Sequence, residues 1–65
     1  MLVSLVTPTR NSFRILRPHY EEVSRALAAT GYDFEILYVD DGSDDSTPAE
    51  IVGLIQPDSR VRGVF

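Results

Sequence analysis

The chain has no cysteine, and its one histidine, His19, stands alone among 65 residues. Without cysteine, neither a disulfide nor a thiolate metal centre is available, and a lone histidine cannot build a histidine cluster. A chain this short hides only about 60% of the surface that its unfolded form exposes. Natural domains of this size usually add disulfides, a metal or a partner. The expectation is therefore that residues 1–65 are a single partial domain, a piece of something larger or a protomer that leans on a neighbour. Long apolar runs are missing as well. Leu2-Val3-Ser4-Leu5-Val6 is too short to span a bilayer and lacks the basic flank of a signal peptide. The expected location is cytoplasmic, or the cytoplasmic face of a membrane reached through other parts of a full-length parent.

Positive charge is scarce and of one kind. The net charge is −4, which argues against a nucleic-acid partner. All the basic residues are arginine, and Arg10, Arg14 and Arg17 come early. Arginine favours planar, bidentate contacts with phosphate or carboxylate, although simple compositional bias gives the same usage. The acids are unevenly spread, with Asp40, Asp41, Asp44 and Asp45 crowded into one short segment.

The apolar pattern predicts alternating strands and helices. Leu2 to Val6 is a continuous apolar run, which suits a strand covered on both faces, and Thr7-Pro8-Thr9 ends it. Pro18 suits the first position of a helix, so a helix is expected from about Pro18, carrying Tyr20, Val23 and Leu27 on one face and stopping at Gly31. Ile15 and Leu16 are expected to pack its entry against the sheet. Phe34 to Val39 reads as a second strand, ended by the turn residues Asp40-Asp41-Gly42-Ser43. A second helix is expected to begin at Thr47 as its cap, with Pro48 first inside and Glu50 completing a capping box. Ile51, Leu54 and Ile55 give it a buried stripe, and Val61 to Phe65 opens a third strand. The expected class is α/β, a β-α-β-α-β unit with a parallel sheet.

In such sheets, ligands gather at the carboxyl ends of the strands. Two loops leave those ends: Thr7 to Ser12, with hydroxyls, an amide and a guanidinium, and Asp40 to Asp45, with acids. That pairing suits a nucleoside with phosphates, since carboxylates accept from base and ribose while arginine meets phosphate. Successive side chains on extended backbone alternate faces, so one of Asp40 and Asp41 is expected to reach the cleft while the other braces the loop. Asp44 and Asp45 are expected to cap and to be solvated at the second helix. His19 and the pair Arg60 and Arg62 are read as surface residues, and Tyr20, Tyr32 and Tyr38 as core or sheet-packing aromatics.

The segments Val3-Ser4-Leu5-Val6-Thr7-Pro8-Thr9-Arg10-Asn11 and Leu37-Tyr38-Val39-Asp40-Asp41-Gly42-Ser43-Asp44-Asp45-Ser46-Thr47 resemble the opening of family 2 glycosyltransferases. Arg60-Val61-Arg62-Gly63-Val64 is similar to the start of their third strand, particularly in members that glycosylate polyprenyl phosphates such as dolichol or undecaprenol phosphate. The likeness covers nearly the whole chain in order and spacing, and the second segment is the more specific. It implies the N-terminal part of a GT-A, Rossmann-like domain and inverting hexosyl transfer from a UDP- or GDP-linked sugar, in the biosynthesis of glycans or the cell envelope. By resemblance Pro8, Thr9 and Arg10 line the nucleotide pocket and Asp41 holds the base, with Asp40 as support of that loop and a candidate partner in the same contact. Arg10 stands where many relatives carry tyrosine, and Ser12 where many carry an acid. The family's divalent cation, Mg or Mn, is expected mostly on an Asp-x-Asp motif beyond these residues. No catalytic residue and no metal ligand is therefore assigned within the chain, which alone is expected to be inactive.

Three other readings compete with this one. A Rossmann-type dinucleotide half needs a glycine-rich first turn, and the first loop has no glycine. An EF-hand loop counted from Asp40 reaches Ile51 where glutamate is required. A truncated, non-catalytic remnant or interaction module is the third, since open sheet edges offer a route to self-association.

Overall fold

The computed structural model describes residues Met1–Phe65. The elements are β1 (Leu2–Thr9), α1 (Phe13–Ala28), β2 (Asp33–Asp40), α2 (Thr47–Ile55) and β3 (Val61–Val64). The three strands form one parallel sheet in the order β1-β2-β3, as the α/β reading expects. Register pairs Val3 with Phe34, Leu5 with Ile36 and Thr7 with Tyr38, while Ile36 also faces Val61.

Parallel neighbours in register share a face, so Phe34, Ile36, Tyr38 and Val61 line one side of the sheet. All four are buried there with Leu16 of α1 and Ile51 and Leu54 of α2. Val3, Tyr20, Val23, Leu27 and Ile55 close around this cluster. Both helices therefore cover the same face. Two crossovers of one hand, stepping the same way across the sheet, produce that arrangement. The opposite face is uncovered: Leu2 is 61% exposed, Val6 59% and Val64 49%. The expectation that β1 is covered on both faces is thus corrected. Its apolar run reflects composition, and its burial alternates along the strand.

β1 also runs three residues past its expected end, through Thr7, Pro8 and Thr9. Proline is tolerated because β1 is an edge strand, where a missing N–H need not break a ladder bond. α1 starts at Phe13, not near Pro18, which lies inside the helix. A proline there removes the donor that would meet the Arg14 carbonyl. Arg14 and Pro18 are both exposed, so water is at hand for that acceptor. Ile15 follows the same logic: it is 66% exposed while Leu16 is 2% exposed, so only one of the expected pair packs against the sheet. α1 closes near Gly31, whose φ of 77° belongs to the left-handed region that glycine enters freely.

The start of α2 differs by one residue. Ser46 is its N-cap, Thr47 is already helical, and the expected capping box does not form. Glu50 instead receives two hydrogen bonds from the Arg17 guanidinium, 2.9 Å from Nε and 2.7 Å from Nη2. That ion pair ties α2 to α1.

The aromatic residues divide. Tyr38 is fully buried, Tyr20 is partly buried, and Tyr32 is exposed, contrary to its expected packing role. Tyr20 Oη donates to Asp58 at 2.5 Å. Asp58 also accepts from Arg60 Nε at 2.9 Å and Nη2 at 3.0 Å. The Arg60 guanidinium lies over the Phe34 ring, 4.3 Å from its centroid. Arg60 is thus a packing residue that closes the core, not merely a solvated one.

Candidate functional site at the strand ends

β1 and β2 end level with each other, Thr9 opposite Asp40. Residues 10–12 and 41–46 therefore leave the sheet side by side, and they bind each other closely. The Asp41 N–H donates to the Thr9 carbonyl at 2.9 Å. The Asn11 N–H donates to Ser43 Oγ at 2.9 Å, and the Asp44 N–H donates to Asn11 Oδ1 at 2.8 Å. Ser12 N–H donates to Thr47 Oγ1 at 2.8 Å.

The two adjacent aspartates have different surroundings. Asp40 accepts three hydrogen bonds: from Ser43 Oγ at 2.6 Å, from the Ser43 N–H at 3.0 Å and from Thr9 Oγ1 at 2.9 Å. The Ser43 hydroxyl, then the Ser43 N–H and the Thr9 hydroxyl, hold its carboxyl below the usual aspartate range. Thr9 is 5% exposed, so its hydroxyl is committed to this brace. Asp41 is exposed, and its carboxylate makes no hydrogen bond or ion pair within the chain. Gly42, with a φ of 67°, gives the turn that follows them a left-handed step. Pro8 and Arg10 are exposed beside them.

Asp45 lies between the starts of both helices. Its carboxylate accepts from the N–H of Phe13 at 3.4 Å and of Thr47 at 2.8 Å, and from the Thr47 hydroxyl. The Thr47 hydroxyl, followed by the Thr47 and Phe13 N–H groups, lowers its pKa. A carboxylate there offsets the positive ends of two helices at once. This is the capping role expected for Asp45, extended to a second helix.

Two hollows flank the loops. The larger, about 300 Å³, is lined by Asn11 to Ile15 and Asp45. The smaller, about 60 Å³, runs from Thr7-Pro8-Thr9 to His19 and Tyr38. Neither includes Arg10 or Asp41, so those two side chains stand on open surface. His19 is partly buried, with Nδ1 3.0 Å from Tyr38 Oη, and is not the free surface residue expected. Burial pushes the Tyr38 phenol up to about 12.

The sequence pattern described as "Glycosyl transferase family 2" matches residues 4–65, a span that takes in both loops and α1, α2 and β3 entire. The chain belongs to glycosyl transferase family 2. No curated protein matches it, and no solved structure does. Family 2 membership agrees with the parallel β-α-β-α-β order, the N-terminal Rossmann-like portion of a GT-A domain. It implies a nucleotide-sugar donor and an acceptor in general terms. No three His, Cys, Asp or Glu side chains of this family 2 chain come together as a metal cluster. No helix is long and apolar enough to cross a membrane.

Asn11 counts in the sequence as a polar group of the first loop, Ser43 as a turn residue and Thr47 as a helix cap, and none of them as a tie between the loops. Short polar residues on both sides of a loop pair are the available signal. Which of them meet depends on the register of the strands behind them.

Proposed function

We propose that this family 2 chain binds the nucleoside of a UDP- or GDP-linked sugar on the paired loops, for inverting hexosyl transfer to an acceptor such as a polyprenyl phosphate. The observation that carries this reading is the division between Asp40 and Asp41. A braced aspartate beside an unbraced, exposed one leaves a carboxylate free to accept from another molecule. The imide edge of uracil and the corresponding N–H of guanine offer such donors, and so do ribose hydroxyls. A charge-assisted hydrogen bond of this kind is directional and stronger than a neutral one.

In this reading Asp41 takes the base, and Arg10 lies flat against the base or meets the diphosphate. Pro8 supplies an apolar wall, while Thr9 and Asp40 hold the strand ends in place. No residue of the chain is assigned the acceptor-activating step, so the chain alone is proposed to be inactive. A Mg or Mn ion would serve the full reaction by offsetting diphosphate charge. The acids present form no metal cluster, so its ligands are assigned mostly elsewhere and no step is derived through it. The proposed setting is the cytoplasm or the cytoplasmic face of a membrane, in glycan or cell-envelope biosynthesis.

Calorimetric titration of UDP, GDP and NAD into the chain tests this. UDP or GDP should bind, and Asp41→Asn should weaken it by about ten-fold or more, the scale of a lost hydrogen bond to a charged group. Folding stability should stay within roughly 0.5 kcal/mol, because the Asp41 side chain supports nothing in the fold. Unchanged affinity in the variant, or a preference for NAD, would rule the reading out.

A further inference from the structure

Asn11 is the one residue other than glycine with a positive φ, at 49°. Asparagine enters this region more readily than most residues, yet it still prefers others. What it gains is two contacts with the opposite loop. Its N–H donates to Ser43 Oγ and its Oδ1 accepts from the Asp44 N–H. Ser43 Oγ in turn donates to Asp40. The acidic loop is thus fastened on both sides of Asp41-Gly42: by Thr9 and Asp40 before them, and by Asn11 after them.

We infer that Asn11 is a positioning residue for the nucleotide site, a latch that fixes the gap between Arg10 and the Asp41 carboxylate. This rests on the nucleotide-binding reading above. Asn11 touches no ligand in this account; it acts through the loop that carries Asp41. In this left-handed conformation both its amide and its side chain meet the neighbouring loop. Strained loop residues held by surrounding contacts are found where geometry must be fixed in advance.

Two variants of the full chain separate the latch from mere structure. Asn11→Gly keeps the left-handed backbone and deletes the Oδ1 acceptor. Asn11→Asp keeps an acceptor and also tolerates that backbone. Uridine and guanosine are the probes, because without phosphates they carry no net charge for the added aspartate to repel. The latch predicts about three- to ten-fold weaker nucleoside binding in Asn11→Gly, the scale of one neutral hydrogen bond. Asn11→Asp should return to within about two-fold of the parent. Hydrogen exchange at the Asp44 amide should quicken in Asn11→Gly, while the Ile36 and Ile51 amides stay protected. Parental binding in Asn11→Gly, or no rescue by aspartate, overturns the latch. If the parent chain binds no nucleoside or nucleotide, the underlying reading fails instead. The Asp44 amide then decides for the latch alone, and unchanged exchange in Asn11→Gly overturns it.

Discussion

Replacing Thr47 with valine tests how the two loops are joined. Thr47 is fully buried, and valine has nearly its shape with a more apolar surface. On burial alone, Thr47→Val should be neutral or stabilising, by about 0.8 kcal/mol for the methyl that replaces the hydroxyl. The structure argues the opposite sign. Thr47 Oγ1 accepts from the Ser12 N–H, the N-cap amide of α1, and donates to Asp45, which serves both helix starts. Valine leaves the Ser12 N–H without its partner, at a cost of about 1–3 kcal/mol. Set against the apolar gain, the net loss is about 0.2–2 kcal/mol. Domains of this size hold about 0.05–0.15 kcal/mol per residue, so the upper end of that range is a large share of the total. At roughly 4–8 °C per kcal/mol, the Tm should fall by about 1–16 °C. Thermal unfolding followed by circular dichroism gives the number, and exchange at the Ser12 amide gives the cause. A variant as stable as the parent, with Ser12 still protected, would show that the hydroxyl does not join the loops.

Gly63→Ala should destabilise by about 1–3 kcal/mol, because a Cβ there would lie 2.8 Å from Cγ2 of buried Ile51 and 3.0 Å from the Phe65 ring. Phe65 is exposed and can turn aside, whereas Ile51 is fixed on α2; an unchanged urea midpoint would refute the close packing of β3 on α2. Stability should also fall in acid. Asp40, Asp45 and Asp58 have folded-state pKa values below the ordinary 3.8, the last chiefly through the Arg60 guanidinium, so the unfolded chain takes up protons first. The contribution is complete well above pH 4 and is lost as the pH drops through the folded values. Urea midpoints measured against pH should show this fall, and Asp58→Asn should flatten it; an equally steep fall in that variant would remove Asp58 from the account.

Several features were decided by the sequence alone. The order β-α-β-α-β follows from local apolar pattern and turn chemistry. That one of Asp40 and Asp41 braces the loop while the other stays free follows from the alternation of side chains on extended backbone; that Asp40 is the braced one depends on Thr9 and Ser43 standing beside it. The likeness of the two loop segments to family 2 glycosyltransferases was also readable, because those residues are contiguous. The start of α1 was not. Pro18 inside a helix costs less where the carbonyl it leaves unpaired can meet water, and which side is wet depends on where the sheet lies. The one-sided covering of the sheet depends on the strand order, which no single segment contains. The hydrogen bonds of Asn11 and Thr47 to the facing loop reach across more than thirty residues of chain. Only the parallel register of β1 and β2, set by the packing of their buried face on α1 and α2, brings those partners within bonding distance.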